Sequence, residues 1–432
     1  MRAKLNLFQA AMVRWREMHP YNAVHVVTLP QPLDLPRLEA SIRRQLEGLG
    51  LTGLLLDRRR LRYEWTGGAA AAPVTVIAGG AESIATLRGE IERQLNAEFP
   101  SAGRIEPFRF FVVADGATFH FGLAYDHFIA GGDSIVLLLQ RLVEDYCGIA
   151  RVGSPLWRPN LYPPKYRRLI RRQVIALTRG LASWARLIAS CRRSVRPRYS
   201  NSSDGYNGVV FCRLGAADQA NLARTARAWD MTQNDLFLAI LLKTLSPRLP
   251  ERYQARRRRH LAVGSIVNIR RDFGAKAADA FGPLLATFRI AHPVPADIEL
   301  HELAAFVRAE TARVKRRKLY LQTLLAIGLS SLQWRFLSSE DRQRFHAKNF
   351  AVWAGVTPLQ LNALWPAARG YPFRLGYVRA VATGPLSAIV VALTTLGDII
   401  ELALSFRTAA LDRDRAEGIV ADIVDCIRSL AR

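Results

Sequence analysis

His127 is the residue of this chain best placed by its surroundings to move a proton. It closes the apolar stretch TFHFGLAYDH and is followed by Gly131, Gly132 and a long apolar run. A neutral imidazole within hydrogen-bond reach can take a proton from a reacting group as a general base, help that contributes roughly a hundred- to ten-thousand-fold. Negative charge that develops on such a group needs fixed donors. Backbone N–H groups at Gly132 and Asp133 are of the right kind if a helix begins there. A histidine at a strand end is also a common structural residue, so type and place alone leave both roles open.

The elements that must hold this imidazole are legible around it. Phe119, Phe121, Leu123 and Tyr125 fall on one face and Thr118, His120, Gly122 and Ala124 on the other, which predicts a strand ending near His127. From Ser134 onward Ile135, Leu138, Leu139, Leu142 and Val143 recur at helical spacing, with Asp133 or Ser134 as the N-cap. Two glycines between strand and helix allow a tight reversal and a close backbone approach.

The segment LAYDHFIAGGDSIVLLLQRLVEDY resembles the core of the condensation-domain and chloramphenicol-acetyltransferase-like acyltransferases, whose signature reads His-His-x-x-x-Asp-Gly between a strand and a helix. His127 falls on the second, catalytic histidine and Gly132 on the closing glycine. The likeness runs along nearly the whole chain. MHPYNAVHVVTLPQPLDLPRLEASIRRQL is similar to the family's opening strand and helix, MTQNDLFLAILLKTL to its Asn-Asp helix, and VGSIVNIRRDFG with FGPLLATFRI to its paired strands. AGVTPLQLNALW, GPLSAIVVALTTLGDIIELALSFR and a last helix from Asp412 are similar to its closing part.

Two positions depart from the family's pattern. Asp126 stands where the first histidine usually sits, and Gly131 where the motif aspartate does. In the family that aspartate pairs with an arginine after the first helix, and here LGLTGLLLD offers Thr52 instead. Both charges are therefore expected to be absent together, which is compatible with an intact fold because stranding one of them would cost about 3–5 kcal/mol. Asp133 could take over the aspartate's task, although helix capping is the simpler role for it.

The resemblance implies an α/β architecture of two chloramphenicol-acetyltransferase-like sandwich subdomains with an active-site tunnel between them: residues 1–160 carrying His127, a basic linking segment 161–205, and residues 206–432. It implies a donor thioester on coenzyme A or on an acyl carrier protein, a hydroxyl or amine acceptor, and His127 as base with Gly132 and Asp133 near the oxyanion. Thr357 in AGVTPLQ could add a hydroxyl, although a β-turn threonine before Pro358 is the plainer account. Asp126 and Asn234 are further substrate-binding candidates, with helix capping by Thr232 or Asn234 as the alternative for the latter. Arg270 and Arg271 could hold a donor phosphate or face solvent. No metal is called for. A catalytically degenerate chain acting as a binding or scaffold partner and a membrane-surface lipid-binding module remain the competing expectations.

Composition agrees with a large folded chain. Half of the 432 residues are apolar, enough for a sizeable core. The four cysteines, Cys147, Cys191, Cys212 and Cys426, are scattered, which argues against a zinc site or a disulfide framework and suits a reducing cytoplasm. Charges at Arg14, Arg16 and Glu17 break any signal-peptide core, and a monomer, cytoplasmic or peripheral on the inner membrane, is expected.

Sixty-one Lys and Arg against thirty-six Asp and Glu leave a net charge of +25. Residues 165–198 hold eleven basic residues and no acidic one; 256–259 and 313–318 form further runs. Acidic carrier proteins, anionic lipids and nucleic acid could each answer such a surface. No nucleic-acid-binding motif accompanies the arginines, which disfavours the last. Within 165–198, Leu169, Val174, Leu177, Leu181, Trp184 and Ile188 keep near-helical spacing, as a helix lying on an anionic membrane would, or one packing across a domain junction.

Overall fold

The computed structural model describes the chain except residues 1, 102, 150–156, 164–165, 202, 275–276, 339, 343–344, 346–348 and 432. The predicted basic run thus begins, at Lys165, outside the described residues. Contacts divide the chain into two compact units, each assembled from three segments. The first comprises Met1–Arg168, Ile269–Leu285 and Leu359–Ala382, the second Leu169–Asn268, Ala286–Pro358 and Thr383–Arg432. These are not the contiguous halves drawn from the sequence. Most of the basic segment is counted in the second unit, and two stretches from late in the chain belong to the first.

The first unit is built on a five-stranded sheet in the order Gly376–Val381, Asn22–Leu29, Phe119–Asp126, Phe108–Ala114, Val74–Ala78. All neighbours are antiparallel except the last pair. Phe119–Asp126 lies at the centre and every one of its residues is buried. Apolar residues alternate with His120 and Gly122 there because both faces are covered, and the small residues admit close neighbours. A Cβ on Gly122 would stand 2.0 Å from the ring of Phe111, itself fully buried, so only glycine fits at that crossing. Helix Ser83–Asn96 packs on this sheet, and helices Leu35–Leu49 and Gly132–Cys147 pack on each other. A smaller sheet of Ala3–Lys4, Arg62–Trp65, Leu54–Asp57 and Gly103–Ile105 completes the unit.

The second unit is centred on a six-stranded sheet in the order Leu285–His292, Leu261–Asn268, Ala354–Gln360, Ile389–Leu396, Ile399–Arg407, Asn207–Leu214. Helix Gln233–Leu245 is buried almost throughout, against Leu300–Arg316 and Arg413–Ser429. All four cysteines are free thiols. Among the described residues no single helix is long and apolar enough to cross a membrane. Val174–Ala182 and Trp184–Arg193, bent by 47° to each other, reach the composition of a span only when taken together.

Candidate active site

The strand carrying the predicted base ends at Asp126, and the chain turns at once. The His127 N–H donates to Tyr21 O at 3.0 Å and the Ile129 N–H to Asp126 O at 2.9 Å. The His127 side chain sits 9% exposed between the rings of Tyr21 and Tyr125, with centroids 5.4 and 6.0 Å away. Its Nδ1 lies 3.3 Å from Ala130 O, a partner that can only accept. That contact fixes the tautomer: the proton resides on Nδ1, and Nε2 presents a lone pair. Burial, with the nearby Arg379 adding to it, pushes the imidazole pKa down to about 4, so the ring is neutral at ordinary pH.

Gly131 is the N-cap of helix Gly132–Cys147, in extended conformation and with no side-chain cap bond. The Ser134 and Ile135 N–H groups both turn back to Gly131 O, which leaves the Gly132 N–H at the mouth of the helix, where internal acceptors run out. Neither Asp133 nor Ser134 caps the helix as predicted. Asp133 lies in the first turn, and its carboxylate accepts from Arg270 Nη1 at 2.9 Å. The other terminal nitrogen of Arg270 donates to Ser134 Oγ, Ala280 O and Gly282 O at 3.0–3.1 Å. Arg270 was expected at a donor phosphate; its guanidinium is instead a clamp that holds the loop 280–282 to the helix start. A Cβ on Gly131 would begin 3.9 Å from the same Nη2. Two residues after Gly131 a carboxylate therefore does meet a guanidinium, and Asp133 is engaged in that pair where helix capping was the simpler expectation for it. Thr52 stands apart from this pair, and its hydroxyl donates to Gly68 O.

Asp126, expected to touch substrate, is occupied as well. Its Oδ2 lies 2.5 Å from Arg16 Nη1, with the two side chains 2% and 6% exposed, and its Oδ1 accepts from the Phe128 N–H at 3.4 Å. Burial raises its pKa to about 6 against the opposing pull of Arg16 and Arg109, so it is a carboxylate at neutral pH. Arg271, expected at a donor phosphate or facing solvent, is exposed on the short helix Arg270–Phe273.

The remaining candidates lie in the second unit. Thr357 is within strand Ala354–Gln360, not in a turn. Asn234 is the second residue of helix Gln233–Leu245, whose cap is Thr232 in a reciprocal box with Asp235. Capping accounts for Thr232 and Asp235 but not for Asn234, whose buried Oδ1 has no hydrogen-bond partner among the described residues.

Sequence reading overlooked a polar layer behind the imidazole. His25, Tyr125, Tyr377 and Arg379 are buried on one face of three adjacent strands, where Arg379 is paired with His25 and Tyr125 with Ala23. His25 Nδ1 lies 2.5 Å from Tyr377 Oη, and its Nε2 3.4 Å from Tyr125 Oη. Burial first, then Arg379 and His127, hold His25 well below the usual histidine range, and burial lowers Arg379 to about 10. The alternation in NAVHVVTL placed His25 on the same face as Ala23 and Val27, but its partner stands 352 residues away.

By sequence the chain matches no protein-family model and no characterised protein. By structure it aligns over its whole length with the first condensation domain of the CDA synthetase, covering 96% of that chain at a TM-score of 0.67 and 15% identity. The chain has the condensation-domain fold. The SgcC5 protein from Streptomyces globisporus aligns equally fully, covering 99% of that chain at 0.69 and 14% identity. The X-domain from teicoplanin biosynthesis does so over 96% of that chain at 0.62 and 19% identity. In this condensation-domain fold, Phe119–Asp126, the turn at His127 and helix Gly132–Cys147 are the strand, histidine and helix on which the sequence resemblance rested.

Proposed function

We propose that this chain is an acyltransferase in natural-product or lipid biosynthesis. It would move an acyl group from a thioester on coenzyme A or an acyl carrier protein to a hydroxyl or amine acceptor. The observation that carries the reading is the state of His127: Nδ1 is engaged by Ala130 O and the ring is neutral, which leaves the lone pair on Nε2. A lone pair held in one direction is what a general base requires. It takes the acceptor's proton as the acceptor's oxygen or nitrogen bonds to the thioester carbon, and passes that proton on to the thiolate as the carbon–sulfur bond breaks. The Gly132 N–H, at the positive end of helix Gly132–Cys147, is the donor nearest in the chain for the intermediate's oxyanion. Arg270, Asp133, Arg16 and Asp126 fix the loop that carries both groups.

The test is product mass spectrometry with a panel of acyl-CoA and acyl-carrier donors. The wild-type chain should form an ester or amide, and His127→Ala should form at least a hundredfold less, by the usual worth of a general base. Turnover unaffected by His127→Ala would defeat the reading.

A second reading is favoured by Asp126 and Gly131, which replace two residues of the motif, and by alignment with the X-domain of teicoplanin biosynthesis, solved also in complex with OxyB. The chain would then be a docking partner for a biosynthetic enzyme. Absence of product with every thioester, together with stable binding of such an enzyme to both the wild type and His127→Ala, would select it.

A further inference from the structure

Large apolar side chains left in water are concentrated on one part of the second unit. Of the twelve that are well exposed among the described residues, eight lie in 170–188 or 329–336, with Ile175 67% and Phe336 83% exposed. The two stretches belong to one packed assembly. Gln322 Nε2 donates to Gly180 O at 3.1 Å and to Ser183 Oγ, and a Cβ on Gly180 would meet Gln322 Cγ at 3.1 Å. Helix Val174–Ala182 is thereby held against Leu319–Leu321 and helix Gln322–Gln333.

At the edge of this apolar area lies a cavity of about 370 Å³ walled by Arg171, Arg172, Arg179, Arg316, Arg317 and Lys318. No acidic residue is among the described residues that line it. Val174 and Ile175 belong both to its wall and to the exposed apolar set. Lys318 takes a left-handed conformation, φ 51°, which a side chain other than glycine adopts at some cost. That turn ends helix Leu300–Arg316 and brings the last three cations to the same rim.

We propose that this face is a membrane-docking surface, with the cationic cavity taking the phosphate headgroup of an anionic phospholipid and the flanking aliphatic side chains entering the acyl boundary. Charge alone would suit an acidic protein. Such a partner would answer the arginines and leave Ile175, Leu181, Leu332 and Phe336 in water. A bilayer interface meets both needs, because guanidinium groups stop at phosphate depth while apolar neighbours go deeper. The helices lie along the interface and do not cross it.

Vesicle flotation with the full chain tests this without recourse to enzyme activity. Phosphatidylcholine vesicles containing about a third phosphatidylglycerol should bind, pure phosphatidylcholine should not, and raising the salt from about 0.1 to 0.5 M should weaken binding. Arg179→Gln, Arg316→Gln and Arg317→Gln together should reduce the partition coefficient by roughly a hundredfold, about fivefold per cation. Ile175→Asp with Phe336→Asp, both at exposed positions, should reduce it at least tenfold at either salt, with the melting temperature unchanged. The proposal is overturned by failure to bind phosphatidylglycerol vesicles, or by equal binding to both compositions. Binding that survives the aspartate pair also overturns it, since the surface would then attract anions generally. So does an acidic acyl carrier protein whose binding the aspartate pair abolishes while vesicle binding is untouched.

Discussion

Arg16 and Asp126 form an ion pair at 2.5 Å in which both side chains are more than nine-tenths buried, directly beside the base. Asp126 stands where the signature that the sequence resembles has its first histidine, so Asp126→His restores that one position of it. It is expected to destabilise the chain by about 3–5 kcal/mol, because Arg16 would lose its counter-charge and face a second potential cation. Asp126→Leu alone should cost a similar amount, whereas Arg16→Met with Asp126→Leu should lie much closer to the wild type. Urea unfolding of the three variants checks this; equal losses in the single and the double variant would show that the pair is not coupled.

Asp133 and Arg270 carry a relationship that can be moved by two residues. Asp133→Ala strands a guanidinium 11% exposed and should lower stability by about 2–4 kcal/mol, with a comparable or larger drop in turnover as the helix start loosens. Gly131 has φ −88°, open to any residue, and a Cβ there meets nothing nearer than 3.5 Å. Gly131→Asp in the Asp133→Ala background should therefore return a carboxylate to Arg270 and recover at least half of the lost stability. Thermal melts of the single and double variants decide it, and no recovery would refute the reading of Asp133 as the displaced partner.

These two pairs also mark where the sequence stopped being informative. Period-2 and period-3.6 patterns located Phe119–Asp126 and the start of Gly132–Cys147 to within two residues, because each element buries its apolar residues through spacing within one stretch of chain. The uses of Asp126, Asp133 and Arg270 depend on partners 110, 137 and 137 positions away, and no local pattern encodes which carboxylate meets which guanidinium. The contiguous halves failed for the same reason: Ile269–Leu285 and Leu359–Ala382 join the first unit through contacts such as Arg270 with Asp133 and Tyr377 with His25. Asn234 was legible as part of a helix start, but its unpartnered Oδ1 was not.

The depressed pKa of His127 sets a pH dependence with a definite sign. Its folded value, about 4, lies below the unfolded value near 6.5, so between these limits the unfolded chain binds more protons. The stability this group contributes is complete above pH 6.5 and is lost as pH falls toward 4, by about 3 kcal/mol in all. The advantage of the wild type over His127→Gln should shrink by that amount across the window, as read by urea unfolding at each pH. Activity should follow the same group: the acid limb of kcat/KM should have its midpoint near 4, and a midpoint near 6.5 would place the essential base elsewhere.

Tyr377 and His25 show how far the base depends on the layer behind it. Tyr377→Phe removes the 2.5 Å partner of His25 Nδ1, in a place where both residues are only 1% exposed, and should cost about 1–3 kcal/mol for the unsatisfied nitrogen. His25→Leu with Tyr377→Phe replaces both polar partners and should restore much of that loss. The effect on chemistry is indirect. His25 Cε1 would lie 3.7 Å from a Cβ at Gly132, so its ring supports the helix start on which the oxyanion donor stands. Tyr377→Phe should lower kcat by no more than about tenfold and leave the acid midpoint of kcat/KM in place, because His127 keeps its own bond to Ala130 O. A loss as large as that of His127→Ala, or a displaced acid midpoint, would make His25 part of the proton path and not a support beneath it.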